Sequence, residues 1–131
     1  MKRLFFLVLS VAIITTSCNK VKDLLQVKAF YNANAFTEKT CDQFGSVASV
    51  NSIDSINITF TNNSKRELHI NWIDYTGAEV TYHDLPDGAS WDCPTFLTHP
   101  WIVRKTDGAC STILIPKTGA GSHETVSFGQ Q

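Results

Sequence analysis

The sequence predicts an all-β fold, a sandwich of seven short antiparallel strands, on the basis of three observations. Apolar and polar residues alternate along several segments, a period that buries one face of a strand and leaves the other in water. Clusters of Gly, Pro, Asn and Asp separate these segments at nearly regular intervals. No long helical pattern interrupts them. The chain has 131 residues, which is enough for one domain of this class but not for several.

The individual strands follow from the alternation and from the turns between them. In the first, Ile56, Ile58 and Phe60 share one face, and the polar residues after position 61 then turn the chain. The strongest turn signal is Pro-Asp-Gly at residues 86–88, since Pro sets one φ angle and Gly accepts a positive one. We therefore predict strands at residues 56–61, 68–72, 79–85, 89–93, 101–104, 109–115 and 124–128.

The N-terminal segment has the composition of an export signal. Lys2 and Arg3 precede an apolar run at residues 4–14, and small polar residues then lead to Cys18. This order is typical of a secretory signal peptide, and the run is short for a membrane span. The small residues before the cysteine resemble a bacterial lipobox, so we predict a signal peptide at residues 1–17 and lipidation of Cys18. An ordinary signal peptide with a nearby cysteine is the alternative.

The charge balance excludes one class of partner. The chain holds 11 basic and 12 acidic residues, and no basic stretch is long enough to neutralise a run of phosphates, so nucleic acid is not an expected partner. Loss of residues 1–17 removes two basic residues and no acid, which brings the net charge from −1 to −3. Acyl chains on Cys18 would then anchor the protein to a membrane of the bacterial cell envelope without help from a polybasic patch.

Residues 19–46 show no clear period. We predict that residues 18–46 form a lipidated N-terminus with a tether and a lead-in segment, and that residues 47–131 form the β domain. The tether prediction depends on the irregular order of apolar and polar residues, which favours neither a strand nor a long helix.

Three cysteines follow Cys18, namely Cys41, Cys93 and Cys110. An oxidising compartment allows one disulfide among them and leaves one thiol unpaired. All three pairings are open, and we favour Cys93 with Cys110 because both lie in the stretch of predicted strands. The sequence has no CxxC spacing and no adjacent pair of histidines, so no metal site or other cofactor is predicted.

Aromatic and polar side chains suited to a binding site are concentrated in one part of the chain. They are Trp72, Tyr82, Thr95, His99 and Trp101. His99 and Trp101 are two residues apart, so they point to one side if residues 97–103 are extended. The core of a sandwich could also hold such aromatics. A histidine beside two tryptophans, however, must find hydrogen-bond partners or stay exposed.

A longer pattern with fixed spacing extends over residues 49–104. It comprises Ser49, Val50, Asn51, Ser52, Phe60, Asn62, Ser64, Arg66, Trp72, Gly77, Tyr82, Leu85, Pro86, Gly88, His99, Trp101 and Arg104. These residues resemble, without a gap, the β domain of the von Hippel–Lindau (VHL) tumour suppressor family. A looser similarity resumes at residues 108–116. The resemblance covers roughly half of the chain, and its spacing is more specific than any single motif.

The resemblance implies a β-sandwich of the VHL type that recognises hydroxylated proline in an extended peptide. By resemblance, Trp72 and Trp101 form the wall and floor for the pyrrolidine ring, and Tyr82 closes one side. His99 would hydrogen-bond the 4-hydroxyl group, and Thr95 stands where the family has serine. A site built for a hydroxyl group discriminates against the analogue that lacks it, because its own polar groups would be left unpaired.

Two departures from the family shape the expected function. Pro94 stands at a position that supplies backbone contacts in the family, yet it has no N–H to donate. The chain ends at Gln131, directly after the last predicted strand, and we expect no ubiquitin-ligase role.

Other functions remain open. The alternatives to a peptide-binding lipoprotein are a structural or assembly lipoprotein and a carbohydrate-binding lipoprotein, since Trp and Tyr also stack on sugars. No enzyme is predicted, because the sequence shows no supported Ser/His/Asp set and no Gly-rich phosphate loop. An acid–base pair of His99 with Asp84 or Asp92 would be a chance arrangement.

Overall fold

The computed structural model describes residues 26–131, which form two β-sheets. The predicted signal peptide (residues 1–17), the predicted lipidation site Cys18 and the first part of the predicted tether lie outside the described residues. The strands are β1 (Val27–Phe30), β2 (Phe36–Lys39), β3 (Ser55–Asn62), β4 (Leu68–Ile73), β5 (Glu79–Leu85), β6 (Ser90–Phe96), β7 (Trp101–Lys105), β8 (Cys110–Pro116) and β9 (His123–Gln130). A 3₁₀ helix, Cys41–Ser46, follows β2.

The two sheets confirm the all-β sandwich. One sheet has four strands in the order β1-β9-β3-β6, and the other has five in the order β2-β8-β7-β4-β5. The strand number among the described residues is nine rather than seven. Neighbouring strands are antiparallel except β3 and β9, which run parallel. The parallel pair arises because the last strand inserts between β1 and β3.

The two additional strands come from the segment that we expected to be a tether. Strand β1 pairs with β9, and β2 pairs with β8. Ala29, Ala35 and Phe36 from this segment are buried in the core. Each of these strands has only four residues, too few for a clear alternation, so their place in the sandwich depends on their partners. Residues 27–39 are therefore part of the folded domain.

Two apolar clusters hold the fold together. The larger one lies between the sheets and includes Ile58, Phe60 and Phe128, all fully buried. The smaller one consists of Val47, Ile73, Ile102 and Ile113, with Phe44 packed against it. The alternation of β4, β7 and β8 places its isoleucines on the outer face of the five-stranded sheet. The 3₁₀ helix and the residue that follows it cover this face.

The disulfide joins Cys41 to Cys110, which corrects the favoured pairing of Cys93 with Cys110. Cys93 lies on β6 with its side chain in the core between the sheets, whereas Cys110 begins β8 in the other sheet and packs on the outer cluster. The partner of Cys110 is therefore the cysteine that begins the covering 3₁₀ helix. Cys93 is a buried free thiol, and burial raises its pKa to about 12.

Two edge strands meet at the opening of the sandwich. Strand β5 is an edge of the five-stranded sheet and β6 is an edge of the four-stranded sheet. They are successive in the chain, and the rings of His83 on β5 and Trp91 on β6 stack with centroids 4.4 Å apart. This opening, together with the turn between β6 and β7, contains the candidate site.

Candidate functional site

The five residues predicted from the sequence all line one pocket of about 180 Å³. Trp72 comes from β4, Tyr82 from β5, Thr95 from β6 and Trp101 from the start of β7, while His99 lies in the turn before β7. The remaining lining residues are Pro94 and Phe96. Side chains from both sheets thus converge on one slot between the edge strands.

The tryptophans give the pocket apolar walls because their N–H groups are already bonded elsewhere. Trp72 Nε1 donates to Ser49 Oγ at 2.9 Å, and Ser49 Oγ in turn donates to the backbone oxygen of Ile73 at 2.6 Å. Trp101 Nε1 donates to Thr95 Oγ1 at 3.3 Å. Trp101 is only 2% exposed, so it also belongs to the core. A ligand therefore meets indole carbon surface rather than indole N–H groups.

Tyr82 stands at the mouth of the pocket because of an irregularity in the sheet. The register between β4 and β5 shifts after Ile70, and Tyr82 is the residue of β5 left without a ladder partner. Its N–H bonds instead to Asn71 Oδ1 at 3.2 Å. Such bulges re-aim a side chain. Tyr82 is 54% exposed, its ring meets Trp101 edge to face at 5.0 Å, and its hydroxyl has no hydrogen-bond partner among residues 26–131.

His99 and Thr95 are the polar groups deep in the pocket. Thr95 is 5% exposed and His99 is 7% exposed. His99 Nε2 lies 3.0 Å from the hydroxyl of Tyr75, whereas its Nδ1 has no partner in the described part of the chain. Because the fully buried side-chain polar atoms there all have partners, Nδ1 keeps some exposed surface. Burial lowers the pKa of His99, which favours the neutral ring.

A tight turn at residues 97–98 places His99, so the condition that residues 97–103 are extended is met only from Trp101 onward. Thr98 has a φ of +67°, which is unusual for a β-branched residue. The turn is held by the Thr98 N–H, which donates to the Pro116 oxygen at 2.8 Å, and by Thr98 Oγ1, which donates to the Val50 oxygen at 2.7 Å. Strain of this kind, held by surrounding bonds, is frequent at functional sites.

Sequence reasoning missed three residues of this site. Phe96 is exposed at the pocket and its ring is 5.4 Å from that of His99. Its place two residues after Pro94 on the same face of β6 could have indicated it. Ser49 belonged to the matched pattern but had no assigned role. Tyr75 was not among the predicted site residues, and no local signal links it to His99, 24 positions away.

The surroundings of His99 do not support an acid–base pair with the nearby aspartates. Asp84 Oδ1 is 2.5 Å from His69 Nδ1, and Asp92 Oδ1 accepts a hydrogen bond from Thr59 Oγ1 at 2.5 Å. The hydrogen-bond partner of His99 is a tyrosine hydroxyl. The imidazole therefore has a neutral hydroxyl, and no carboxylate, as its hydrogen-bond partner among the described residues.

Within residues 26–131, no three His, Cys, Asp or Glu side chains come together as a metal site would require. No helix in the same range is long and apolar enough to cross a membrane.

Comparison with known families identifies the domain. Residues 47–118 match the family model described as the VHL beta domain, and the match covers more than half of the chain. The chain therefore belongs to the VHL β-domain family. Within this family the β domain is a substrate-recognition domain. A search among curated proteins found no match to the chain.

Proposed function

We propose that this member of the VHL β-domain family is a peptide-binding module that recognises 4-hydroxyproline, or a similar hydroxylated ring, in an extended segment. One observation carries the proposal: a largely apolar slot is lined by two polar residues, Thr95 and His99, each of which keeps unused hydrogen-bonding capacity, Thr95 at its hydroxyl and His99 at Nδ1, within the described residues. A buried hydroxyl group needs such a pair, because it both donates and accepts.

The size and shape of the pocket favour one small ring. Its volume of about 180 Å³ is below the roughly 300–1,000 Å³ typical of pockets for drug-sized ligands. The rings of Tyr82 and Trp101 meet at 89°, so they form a corner. A pyrrolidine ring fits against aromatic faces arranged in this way and is well buried by them.

The same geometry disfavours the carbohydrate alternative. Sugar stacking needs a flat, exposed aromatic face, and Trp101 is almost fully buried while Trp72 is half-buried. Of the three, only Tyr82 is exposed, and its ring is perpendicular to that of Trp101. A closed corner suits a ring that enters the slot rather than a chain of sugars that lies across it.

The direct test compares three peptides that differ at one central residue. The first carries (4R)-hydroxyproline, the second carries proline, and the third carries the (4S) epimer as a matched control with the same atoms. Titration calorimetry on the purified full chain should show a preference of about 1–3 kcal/mol for the first peptide over the second, because proline leaves two polar groups unpaired. Equal binding of all three peptides would contradict the proposal.

We further propose that the protein is exported and anchored through a lipid on Cys18. Support comes from the signal-like composition of residues 1–18 and from the Cys41–Cys110 disulfide, since disulfides persist in oxidising compartments outside the cytoplasm. A labelled lipid precursor should mark the wild type and not the Cys18→Ser variant. Equal labelling of the two proteins would overturn this part of the proposal.

A further inference from the structure

Tyr75 lies outside the pocket lining, yet it contacts two residues of the pocket. It sits in the turn between β4 and β5, and its hydroxyl is 3.0 Å from His99 Nε2. Its ring meets those of Trp72 at 5.6 Å and 84° and of His99 at 5.4 Å and 89°. The ring therefore packs against both residues, while the hydroxyl makes one specific bond to the imidazole.

The turn that carries Tyr75 is held by its own hydrogen bonds. Asp74 Oδ1 accepts from the backbone N–H groups of Thr76 at 2.8 Å and Ala78 at 3.0 Å. The Thr76 hydroxyl also donates to Asp74 Oδ1, at 2.7 Å. This bond, followed by the backbone bonds, lowers the pKa of Asp74. Gly77 has a φ of +83°, and a Cβ there would stand 3.2 Å from the Val47 oxygen. The backbone around Tyr75 is thus fixed before any ligand binds.

The Tyr75 hydroxyl can settle which nitrogen of His99 carries the proton. A neutral imidazole has one N–H donor and one acceptor nitrogen, and the bond made by one nitrogen determines the role of the other. If Nε2 carries the proton and donates to Tyr75, then Nδ1 is left as an acceptor. If Tyr75 donates to Nε2, then Nδ1 carries the proton and is a donor.

The hydroxyl of Thr95 favours the first arrangement, in which Nδ1 of His99 is an acceptor for the ligand hydroxyl. Thr95 Oγ1 already accepts from Trp101 Nε1, and its own proton has no acceptor among the described residues. Thr95 can therefore donate to the oxygen of a ligand hydroxyl, and an unprotonated Nδ1 can accept the ligand's proton. In the other arrangement Nδ1 donates to the ligand oxygen, and the ligand proton can only take the second lone pair of Thr95 Oγ1. The Thr95 proton is then left without an acceptor among the described residues.

We propose that Tyr75 is a positioning residue, whose hydroxyl accepts the Nε2 proton of His99 and keeps Nδ1 unprotonated to receive the proton of the ligand hydroxyl. The inference rests on the proposed function, because it assigns the donor and the acceptor of that same site. The lowered pKa of His99 supports it, since the neutral ring is the form that has an acceptor nitrogen.

The chain offers a clean variant for the test. Tyr75→Phe keeps the ring that packs on Trp72 and His99 and removes only the hydroxyl. Tyr31→Phe is the matched control, because the Tyr31 hydroxyl bonds to Glu38 at 2.8 Å and Tyr31 does not line the pocket. Both variants are compared with the wild type as full chains, and folding is checked by thermal denaturation in the same samples.

Two measurements decide the inference. In ¹⁵N NMR of histidine-labelled protein, wild-type His99 should show a protonated Nε2 and an unprotonated Nδ1, and Tyr75→Phe should show a mixture of tautomers. In titration, Tyr75→Phe should lose about two- to tenfold of the preference for the (4R)-hydroxyproline peptide, the effect expected of one neutral hydrogen bond. Its affinity for the proline peptide should not change, and Tyr31→Phe should match the wild type in both measurements.

The outcomes separate this inference from the proposed function. A protonated Nδ1 in the wild type, or an unchanged tautomer and preference in Tyr75→Phe, would overturn the role of Tyr75. If the wild type shows no preference for the hydroxylated peptide, the proposed ligand is wrong. A tautomer shift in Tyr75→Phe alone would then still establish that Tyr75 positions His99.

Discussion

Polar groups are bonded to one another on the outer face of the five-stranded sheet, whereas several of those in the pocket beside its edge strand have no partner among the described residues. On the outer face, Glu79 accepts from Arg104 Nε and Nη2, the latter at 2.6 Å, and from Asn71 Nδ2 at 2.7 Å. The Arg104 guanidinium also lies over the ring of Phe44. In the pocket, His99 Nδ1, the Thr95 proton and the Tyr82 hydroxyl have no partner within the described residues.

This contrast separates the polar groups that stabilise the fold from those that are available to a ligand. Groups that satisfy one another inside the protein have no bonding capacity left, and separating them costs free energy. Groups that keep a free donor or acceptor in a partly buried slot can gain free energy only from an added partner. Substitutions on the outer face should therefore change unfolding, and those at the polar end of the pocket should change binding.

Trp101→Ala should have the largest effect. It should change both unfolding and binding, because Trp101 belongs to the core and to the pocket. Removal of a buried tryptophan should cost about 3–5 kcal/mol of unfolding free energy. The hydroxylated and the unmodified peptide should lose affinity alike, since the lost contact is with the ring. Urea denaturation and peptide titration on the same folded sample measure both effects. A variant that weakens only the hydroxylated peptide would contradict this assignment.

Loss of the disulfide should affect stability and leave the pocket intact. The Cys41–Cys110 bond closes a loop of sequence separation 69, and a loop of this length is expected to contribute about 4 kcal/mol. The double substitution to Ser should lower the unfolding free energy by that amount without changing peptide affinity at temperatures where the protein stays folded. Cys93→Ala serves as the comparison, since it removes a thiol and no cross-link. An equal destabilisation by both changes would show that the cross-link itself contributes little.

His99→Ala should be the opposite case, with its main effect on ligand discrimination. The variant removes the proposed partner of the ligand hydroxyl, so the preference for the hydroxylated peptide should fall by about 1–3 kcal/mol. Affinity for the proline peptide should change little. Equal losses of affinity for both peptides, measured in parallel titrations, would mean that His99 maintains the shape of the pocket and does not hydrogen-bond to the ligand hydroxyl.

The same histidine predicts a pH dependence with a defined sign. Burial lowers the pKa of His99 below its ordinary value of 6.5, so the stabilising neutral form is fully present above pH 6.5. As the pH falls below 6.5, the unfolded chain takes up the proton first, and this stability is lost as the pH falls through the lowered value. The preference for hydroxyproline should disappear over that lower range, because a protonated Nδ1 no longer accepts. A preference unchanged throughout the acidic range in which the protein stays folded would exclude Nδ1 as the acceptor.

Glu79→Gln should give the smallest effect, and this effect should be on the free energy of unfolding alone. The Arg104 guanidinium, followed by the Asn71 amide, lowers the pKa of the Glu79 carboxyl. The carboxylate therefore stabilises the fold above the ordinary glutamate pKa, and this contribution is lost as the pH falls through the lowered value. Replacement by Gln should cost about 1–2 kcal/mol at neutral pH, because the pair is only partly buried. Denaturation curves of the two proteins should differ most at pH 7, and the difference should shrink as the pH falls below 4.5. Peptide binding at neutral pH should be unaltered.

Local sequence patterns were enough to predict much of the sandwich and all five proposed contact residues. The alternation of Ile56, Ile58 and Phe60 identified a strand with one buried face, and residues 79–85 were predicted with the bounds of β5. The aromatic residues and His99 were found because side-chain types that need burial and hydrogen bonding occur within one stretch and match a family pattern. These signals lie within a few residues of one another, or in a fixed spacing along one segment, so they can be read without knowing the fold.

Features that depend on contacts between distant segments are known only from the folded structure. Strands β1 and β2 are four residues long and are defined by their pairing with β9 and β8. The partner of Cys110 is 69 residues away, and that of His99 is 24 residues away. The preference of a residue for the interior or for a turn can be predicted from the sequence, because it depends on that residue and its near neighbours. The pairing of distant strands, of thiols, or of a hydroxyl with an imidazole cannot be predicted in this way, because it depends on how the whole chain packs.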